Sequence, residues 1–383
     1  MSNYHSSAQE IREVIQTVRA FASKELAPYA EELDREERLA PRIFKKFAEL
    51  GILGLTCDEQ YGGASLGALA VVAVMEELSY ACPGSCLSYL AHSILFVHNL
   101  FMNGSEEQKL KFLPPAISGE SVCGMAMTEP SVGSDALGMT TKAVKKGDYY
   151  VLNGTKMFIT NGPIGETFLV YARTGEERGQ ISTFIVERSF HGFSVGKKLS
   201  KMGMRASPTG ELIFQDCLVP LENLVGEEGQ SVKHMMKNLD IERLALGAMS
   251  LGIARACLDQ SLKYAQERIQ FGQSIIHFQA VSEKIANMYI QYRAARALIY
   301  EAAQVLEEGR RANQEAAAAK VFASEMATKV ALDAIQVLGG YGYIREFSVE
   351  RFMRDAKLLE IGGGTSEILR GIIVKEFLRK SGK

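Results

Sequence analysis

The spacing of apolar residues changes twice along this chain, and the two changes limit the folds that it can adopt. Helical spacing begins after Ser7, where an S-x-x-E pair forms a capping box, and it continues to about Pro114. From about Gly119 to Gly229 the apolar residues alternate in short runs, which is typical of strands. Helical spacing returns after Val232 and lasts nearly to the end. This order predicts an α+β protein with its sheet in the middle.

The chain of 383 residues is longer than one hydrophobic core usually supports, so we expect two or three packed units. The changes of spacing set their boundaries: an all-α domain over residues 1–118, a β domain over 119–229 and an α-helical domain over 230–383. Within the β domain, Asn153-Gly154 and Asn161-Gly162 are typical turn sequences of antiparallel strands. The segment from Asn153 to Gly162 is therefore predicted to form a hairpin.

Composition and charge exclude several classes of function. With 47% apolar residues, 23% charged residues and a formal charge of -2, the chain gives no reason to expect nucleic acid or an acidic membrane as a partner. The longest purely apolar run of the N-terminal third, Leu66 to Met75, is far shorter than the roughly 20 residues that span a bilayer. The first residues resemble neither a signal peptide nor a transit peptide. We expect no membrane insertion and a cytoplasmic protein, or a mitochondrial matrix protein whose transit peptide has been removed.

Metal chemistry and several common cofactor motifs are not indicated either. The six cysteines form no C-x-x-C pair, and the six histidines are scattered without an H-E-x-x-H motif. The sequence also lacks a nucleophile elbow, a P-loop and the G-x-G-x-x-G motif of nicotinamide binding. The polar and glycine-rich strings that join the three segments remain as candidate sites.

One such string, I-G-G-G-T-S-E-I from Ile361 to Ile368, has three consecutive glycines after a charged, helix-like run. Glycine destabilises a helix by roughly 1 kcal/mol relative to alanine, so this run indicates left-handed backbone or a very close approach to another group. That group is either another backbone or a ligand. A flexible turn between two helices is the simpler interpretation.

Two strings of the β domain offer polar groups to a ligand. The loop from Met125 to Asp135 carries Thr128 and Ser134, which suit the edge of a planar heterocycle, although a turn that enters the sheet explains it as well. The predicted hairpin adds one aromatic side chain, Phe158, and one hydroxyl, Thr160. On its own the hairpin is weak evidence.

Two predicted helix ends offer groups that suit a pyrophosphate. The string from Glu267 to Gln273 carries Arg268, and the string from Gln336 to Gly340 ends in two glycines. A guanidinium group forks onto phosphate oxygens, and glycine backbone approaches them closely. The alternatives are a surface salt bridge for Arg268 and a plain helix C-cap at Gly339-Gly340.

In their order and spacing, these strings resemble the acyl-CoA dehydrogenase family of flavoenzymes over essentially the whole chain. The strings are M-T-E-P-x-x-G-S-D, x-I-T-N-G, E-R-x-x-F-G, Q-x-L-G-G and G-T-S-E-I, and the five together are very specific. Within the family, the isovaleryl-CoA dehydrogenases are most similar in four places: Gly203-Met-Arg, Glu211-Leu-Ile-Phe, Asp240-Ile-Glu-Arg-Leu and Glu360-Ile-Gly-Gly-Gly-Thr-Ser-Glu.

The resemblance implies FAD as the cofactor and a three-part fold, with an N-terminal helical domain, a middle β-barrel or sandwich and a C-terminal four-helix bundle. It implies that the flavin ring is contacted by Met125, Met127, Thr128, Phe158 and Thr160. It implies that the adenosine diphosphate half is held, partly by a neighbouring subunit, by Arg268, Phe271, Gln279, Gln336, Gly339 and Gly340. Near the pyrophosphate it implies Thr365 and Glu367, and near the acyl-CoA Ser134, Arg243 and Gly364.

The chain departs from the family at the flavin ring. Most members have tryptophan at the position of Phe158, and this chain contains no tryptophan. Ring stacking survives the change, but the indole N–H is lost.

A second departure concerns the catalytic base. Many members carry, at the position of Gly363, the glutamate that removes the α-proton of the substrate, and this chain lacks it. Isovaleryl-CoA and some long-chain members use a glutamate at the start of a helix instead, a position that matches Glu242. The simpler interpretation of Glu242 is a carboxylate in a first helical turn with Asp240 as the cap. The resemblance favours Glu242 as the base, with the glycines leaving room for a bulky acyl group and the Gly363 N–H facing the thioester carbonyl.

The resemblance thus implies α,β-dehydrogenation of an acyl-CoA thioester to the trans-2-enoyl-CoA. Isovaleryl-CoA is the expected substrate, with long-chain or cyclic acyl-CoA as alternatives. We expect electrons to pass to an electron-transferring flavoprotein and the enzyme to be a homotetramer. Two other functions stay open: an acyl-CoA oxidase that uses dioxygen, and a non-catalytic flavin or CoA binding protein.

Overall fold

The structure, a computed structural model, describes residues 7–381. Its elements follow the order that the apolar spacing predicts: helices, then strands, then helices. The capping box at Ser7 is present, because the Glu10 N–H donates to the Ser7 side chain and the Glu10 carboxylate accepts from the Ser7 N–H. Among the described residues before the sheet there are seven α-helices: α1 (Ala8–Phe21), α2 (Ala30–Arg35), α3 (Ile43–Glu49), α4 (Ala68–Ala81), α5 (Pro83–His92), α6 (Asn99–Asn103) and α7 (Glu106–Ile117).

A mixed sheet of eight strands follows. Its order is β6-β7-β3-β2-β4-β5-β8, with β1 beside β4. The predicted antiparallel pairing holds for most neighbours, but β4 pairs in parallel with β1 and β2. The strands are β1 (Cys123–Ala126), β2 (Lys142–Lys146), β3 (Tyr149–Thr160), β4 (Thr167–Arg173), β5 (Ile181–Glu187), β6 (Phe193–Lys198), β7 (Thr209–Pro220) and β8 (Leu224–Val225).

The predicted hairpin between Asn153 and Gly162 is wrong. Strand β3 runs through Asn153-Gly154 with a shift of register against β7, so this pair forms a β-bulge rather than a turn. Gly154 has a φ of 151°, and a Cβ there would lie 2.8 Å from the Thr141 Cα. Glycine therefore permits the close approach of the neighbouring chain. The turn lies only at Asn161-Gly162, where Asn161 has a φ of 63°.

A bundle of long helices completes the fold. Helix α8 packs against α4 of the N-terminal part and against α9 and α10 of the bundle. Because of this packing, the largest cluster of buried apolar side chains is shared between the first and last helices of the chain. The elements are α8 (Ser231–Glu267), the short antiparallel pair β9 (Ile269–Gln270) and β10 (Gln273–Ser274), α9 (Gln279–Glu307), α10 (Asn313–Leu338), α11 (Val349–Leu359) and α12 (Ser366–Lys380).

Two buried carboxylates fasten α4 to the bundle. Glu76 accepts hydrogen bonds from the hydroxyl groups of Tyr292 and Tyr300 on α9, at 2.8 and 3.0 Å. Glu77 accepts a two-pronged bond from Arg255 of α8, at 2.9 and 2.8 Å. Buried charges are tolerated when they are paired and hydrogen-bonded in this way. These contacts hold α8 in a fixed position against α4 and α9.

One stretch of the described chain, Pro83–Asn103, is long and apolar enough to cross a membrane by length and composition alone. Of its most apolar window, 83% is buried inside the protein. Core helices of soluble proteins pass the same test, and α5 packs against both α4 and α8. The stretch is therefore weak evidence for a membrane span.

Two helical glycines give a matched test of the packing between α4 and α8. A Cβ on Gly252 of α8 would collide with the Glu76 carbonyl oxygen and lie 2.7 Å from the Tyr80 backbone nitrogen. Because backbone atoms cannot rotate away, Gly252→Ala is expected to lower the free energy of unfolding by about 1 to 3 kcal/mol. Gly371→Ala on α12 meets nothing within 4 Å and is expected to raise it by up to about 1 kcal/mol. Denaturant unfolding of both variants measures the difference, and equal stability would contradict the close contact.

Candidate active site

Glu242 lies in the interior of helix α8 and not at its start. The helix begins at Ser231, so about three turns precede Glu242. The predicted position in a first turn, with Asp240 as the cap, is wrong. The earlier residues are helical because Met235 and Leu239 pack on a cluster around Tyr171. Since the electrostatic effect of a helix start fades within its first turn, the carboxylate gains little from it.

The carboxylate of Glu242 is buried and has no bonded partner. The residue is 7% exposed, and no hydrogen bond or ion pair joins its side chain to another residue of the described chain. Burial raises the pKa of Glu242 to about 7, while the charges of Arg243 and Lys320 act in the opposite direction. A carboxylate that is about half ionised at neutral pH is suited to take up a proton.

The three glycines form a turn between α11 and α12 beside this carboxylate. Gly363 and Gly364 have φ angles of 64° and 94°, so the left-handed backbone that the glycine run predicts is confirmed. A Cβ on Gly363 would lie 3.5 Å from Glu242 Oε1. A side chain at position 363 would therefore begin next to the carboxylate of Glu242. The turn ends at Thr365, whose hydroxyl accepts from the Ile368 N–H and caps α12.

The space beside Gly363 is filled. A Cβ there would collide with Cδ1 of Leu246, which lies one turn after Glu242 on α8. The room that the sequence predicts next to the glycines is therefore taken by Leu246 and Glu242. Glycine is favoured at 363 because the backbone is left-handed there, and a side chain would also require the end of Leu246 to move.

Two backbone groups of the glycine turn differ in their hydrogen bonds. The Gly363 N–H has no acceptor within residues 7–381. The Gly364 carbonyl accepts from Nζ of Lys320 at 2.8 Å, and Lys320 is fully buried on α10. Sequence reasoning missed Lys320. Its signal was a lone charge between the buried Ala316 and Ala323, about one turn away on each side.

Arg243 joins α8 to the start of α10. Its guanidinium donates to Asn313 Oδ1 at 2.7 Å and lies 3.5 Å from Asp240 Oδ1. Burial raises the pKa of Asp240 to about 6, against the charges of Arg243 and Arg311. Ser134 is exposed in the loop between β1 and β2. The roles of Arg243 and Ser134 in substrate binding stay predictions.

The predicted flavin residues lie on β1, on the loop that follows it and on β3. The Met157 N–H donates to the Thr128 carbonyl at 2.8 Å, which joins the loop to β3. Phe158 is 63% exposed and has a φ of 61°, a strained conformation for an aromatic residue that indicates a functional constraint. The hydroxyl groups of Thr128 and Thr160 make no hydrogen bond to other described residues. An exposed ring and two free hydroxyls fit the edge and face of a flavin.

A buried ion pair that sequence reasoning missed holds this loop. Nζ of Lys156 donates to the Met127 carbonyl and to Glu129 Oε1, both at 2.9 Å. Glu129 also accepts from the backbone N–H groups of Thr140 and Thr141. Burial acts to raise the pKa of Glu129, but Lys156 and the two threonines lower it to about 2. Lys156 and Glu129 therefore fix the backbone of the loop around Met127.

A second group of predicted residues surrounds an open cavity of about 580 Å³, which Arg268, Gly339 and Gly340 line together. Arg268 forms no ion pair with another described residue, so the alternative of a surface salt bridge is not observed. Its guanidinium lies 5.8 Å from the centroid of the Tyr341 ring. Gly339 is the C-cap of α10, as the alternative interpretation predicts, and its contact with a pyrophosphate stays a prediction. A free guanidinium beside glycine backbone fits a pyrophosphate.

The other predicted residues are scattered more widely. Phe271 is 94% exposed, Gln279 begins α9, Gln336 is exposed on α10, and Glu367 is exposed in the first turn of α12. No hydrogen bond or ring contact among residues 7–381 joins the cavity of Arg268 to Phe158 or to the glycine turn. Side chains of His, Cys, Asp and Glu form no group that could hold a metal ion in the part of the chain that the structure describes.

A further cavity of about 500 Å³ lies beside the first half of α8, on the face next to Glu242. Asp240 and Ile241 line it, and Glu242 does not. Much of its wall is apolar, and four basic side chains stand around it: Lys233, Lys237, Arg310 and Arg311.

A helical domain, a mixed sheet and a helical bundle, with groups that fit a flavin and a pyrophosphate, are the features expected of a flavin-dependent dehydrogenase. Three family models then match nearly the whole chain: the acyl-CoA dehydrogenase N-terminal domain over residues 8–120, the middle domain over 124–217 and the C-terminal domain over 229–378. The chain belongs to the acyl-CoA dehydrogenase family, whose members are FAD-dependent oxidoreductases.

Similar proteins agree with this assignment. The mitochondrial isovaleryl-CoA dehydrogenase of Pongo abelii is 47% identical over 377 residues, which are 97% of this chain and 89% of the relative. Butyryl-CoA dehydrogenase from Megasphaera elsdenii superposes with a TM-score of 0.95 at 38% identity, covering 98% of this chain and 100% of that one. A chain from a structure of the electron-transferring flavoprotein of Acidaminococcus fermentans gives a TM-score of 0.95 at 41% identity, covering 98% and 99%.

The buried carboxylate makes stability depend on pH. Its pKa is raised from 4.5 to about 7 on folding, so the ionised form destabilises the folded state as pH rises towards 7. Glu242→Gln removes this effect. The stability of the variant relative to wild type is expected to grow by about 2 kcal/mol between pH 5.5 and 8.5. Denaturant unfolding at both pH values measures the change.

The matched control is Glu301→Gln, which makes the same chemical change at an exposed position of α9. It is expected to leave the stability difference independent of pH. If the two variants behave alike, Glu242 is not held in a dry site.

Proposed function

We propose that the protein catalyses α,β-dehydrogenation of a short branched acyl-CoA, isovaleryl-CoA in the first place, to the trans-2-enoyl-CoA. The observation that carries this proposal is the buried, unpartnered carboxylate of Glu242 beside the Gly363 turn. A chain that lacked a base would be a binding protein, and a carboxylate at this position supplies one.

Two residues of the chain, Glu242 and Gly363, have separate roles in the proposed reaction. Glu242 takes the α-proton of the thioester, and burial brings its pKa closer to that of the weak carbon acid. Negative charge develops on the thioester carbonyl oxygen as the proton leaves. The free N–H of Gly363 donates a hydrogen bond to this oxygen and stabilises the charge. FAD, when bound, accepts the hydrogen that leaves the β-carbon with its electron pair.

The proposed cofactor-binding residues include the group around Phe158 and the group around the Arg268 cavity. Phe158 stacks on the flavin, and Met125, Met127, Thr128 and Thr160 contact its ring system. For the adenosine diphosphate half and the pyrophosphate, the proposed residues are Arg268, Phe271, Gln279, Gln336, Gly339, Gly340, Thr365 and Glu367. The exposure of Phe271 and the absence of an ion pair at Arg268 support this division.

The acyl-CoA is proposed to lie along α8. The cavity beside α8 is lined by four basic side chains, Lys233, Lys237, Arg310 and Arg311, against two carboxylates, Asp240 and Glu307. The excess of basic groups complements the phosphates of CoA. Ser134, Arg243 and Gly364 remain the proposed contacts nearer the reacting atoms. The isovaleryl substrate is supported by the identity of 47% with an isovaleryl-CoA dehydrogenase and by a glutamate at 242 with none at 363.

The partners follow from the family. We propose that reduced enzyme passes its electrons to an electron-transferring flavoprotein and that the active form is a homotetramer, in which a neighbouring subunit helps to cover the cofactor. The proposed location is the cytoplasm of a bacterium, or the mitochondrial matrix if a transit peptide has been removed.

Anaerobic titration of the flavin-loaded enzyme with isovaleryl-CoA tests the half-reaction. Loss of the visible flavin absorbance near one equivalent of substrate is the expected result. Glu242→Gln is expected to retain the flavin and to slow its reduction by roughly a hundredfold or more, because the amide cannot take the proton. Reduction of this variant at the wild-type rate would contradict the base assignment.

The same titration separates the other functions. Bleaching by long-chain or cyclic acyl-CoA in place of isovaleryl-CoA would correct the substrate. Rapid reoxidation in air would indicate an oxidase, and a flavin that no acyl-CoA bleaches would indicate a binding protein.

Moving the carboxylate tests the geometry of the site. Glu242→Gly combined with Gly363→Glu is expected to restore partial activity, with a preference for straighter acyl chains. Leu246 stands where the new Cβ must go, so adding Leu246→Ala is expected to raise this activity by roughly tenfold. The control is Glu242→Gly with Leu246→Ala, which has no carboxylate at either position. If the triple variant is no more active than this control, position 363 cannot serve the same reacting atoms.

A further inference from the structure

Lys320 is a buried charge that the reaction as described above does not use. It is fully buried on α10, and the one hydrogen bond of its side chain within residues 7–381 is the bond from Nζ to the Gly364 carbonyl, at 2.8 Å. Burying an ammonium group with a single partner is costly, and lysine is among the residues least often found inside a protein. Such a group is usually retained for a specific contact or charge.

The glycine turn needs an external support at this point. Its beginning is held by the bond from the Gly362 N–H to the Leu358 carbonyl at 2.9 Å, and its end by the bond from the Ser366 N–H to the Glu360 carbonyl at 3.0 Å. Between these two bonds stand Gly363 and Gly364, the residues with the greatest conformational freedom. In the described chain, the bond from Lys320 is the contact that fixes a backbone atom of this pair.

We propose that Lys320 is a positioning residue for the proposed reaction: its ammonium group fixes the Gly363-Gly364 backbone, which keeps the Gly363 N–H in place for the thioester carbonyl, and its charge favours the ionised form of Glu242. The proposal rests on the proposed function of Glu242 and Gly363. Lys320 acts through the turn and through the carboxylate and is not assigned a contact with substrate.

The electrostatic part of the proposal follows from the charges around each group. Glu242 faces Arg243 on its own helix, Lys320 on α10 and the Tyr171 hydroxyl on β4. Lys320 faces Glu242 and Arg243 on α8, and two further carboxylates, Glu325 on α10 and Glu360 after α11. Burial lowers the pKa of Lys320 to about 8, against the pull of Glu242. The lysine is therefore still largely charged at the pH at which Glu242 loses its proton.

Two substitutions separate the contact from the charge. Lys320→Met keeps the length of the side chain but removes both the donor and the charge. Lys320→Gln keeps an N–H donor that can reach towards the Gly364 carbonyl and removes only the charge. The matched control is Lys329→Met, the same change at an exposed position of the same helix. If the methionine variant does not fold, the glutamine variant carries the test.

The pH profile of flavin reduction by isovaleryl-CoA is the first readout. In both Lys320 variants the acidic limb of the profile is expected to move to higher pH by roughly one unit, because Glu242 loses a favourable charge. At high pH, the maximal rate of Lys320→Met is expected to fall by roughly tenfold to a hundredfold, and that of Lys320→Gln by less. Substrate affinity is expected to change little. If both variants match Lys329→Met, the proposal is wrong.

A second readout does not need activity. The stability of Glu242→Gln relative to the glutamate form stops growing with pH once Glu242 is ionised. In the Lys320→Met background this limit is expected to lie roughly one pH unit higher. An unchanged limit would overturn the electrostatic part of the proposal. If isovaleryl-CoA fails to bleach the wild-type enzyme, the proposed function fails, and this second readout still decides whether Lys320 acts on Glu242.

Discussion

The site depends on a carboxylate that is kept out of water and given no bonded partner. Elsewhere in the same helical core, burial is combined with pairing: Glu76 and Glu77 on α4 receive donors from tyrosine and arginine side chains. Burial acts to raise the pKa of Glu77, but its bonds to Arg19 and Arg255 lower it, so this carboxylate is a poor proton acceptor at neutral pH. Glu242 has positive charges nearby, but none of the described chain forms an ion pair with it. The rigid packing of α8 maintains this difference, because a mobile helix would let the carboxylate reach water or a cation.

The glycine turn and Leu246 form one structural unit with this carboxylate. A side chain at 363 would compete with Leu246 for space and would lead to the position of Glu242 Oε1. The structure therefore accommodates one carboxylate at this point, from one of two backbone positions. With Glu242 as the proposed base, a glutamate at 363 is unnecessary, and the packing of Leu246 disfavours one.

The sequence predicts the order of elements and the left-handed glycines, because both depend on local preferences. The predictions from sequence are wrong or incomplete where tertiary packing determines the local structure. The start of α8 lies at Ser231 because Met235 and Leu239 gain contacts on the sheet, which no capping sequence announces. Bulges and hairpin turns both need unusual φ values, so an Asn-Gly pair suits either structure. At Asn153-Gly154 the chain forms the bulge. Lys320 was overlooked since an alanine-rich helix containing one lysine looks solvent-exposed unless its buried face is known.

The residues proposed to bind the cofactor form two groups, which no hydrogen bond or ring contact joins within the described chain. Phe158 and Phe271 expose 63% and 94% of their surface, and Arg268 has no ion pair within the described residues. Exposed aromatic rings leave apolar surface in contact with water, and the unpaired guanidinium keeps its hydrogen-bond donors available to a ligand. A dinucleotide that stacks on one ring and neutralises the arginine would remove most of this exposure. The ring of Phe271 contacts the ring of Phe278 and is otherwise exposed, so we expect cofactor or protein to cover it in the proposed tetramer. In the proposed enzyme, the cofactor and the neighbouring subunit would cover these groups.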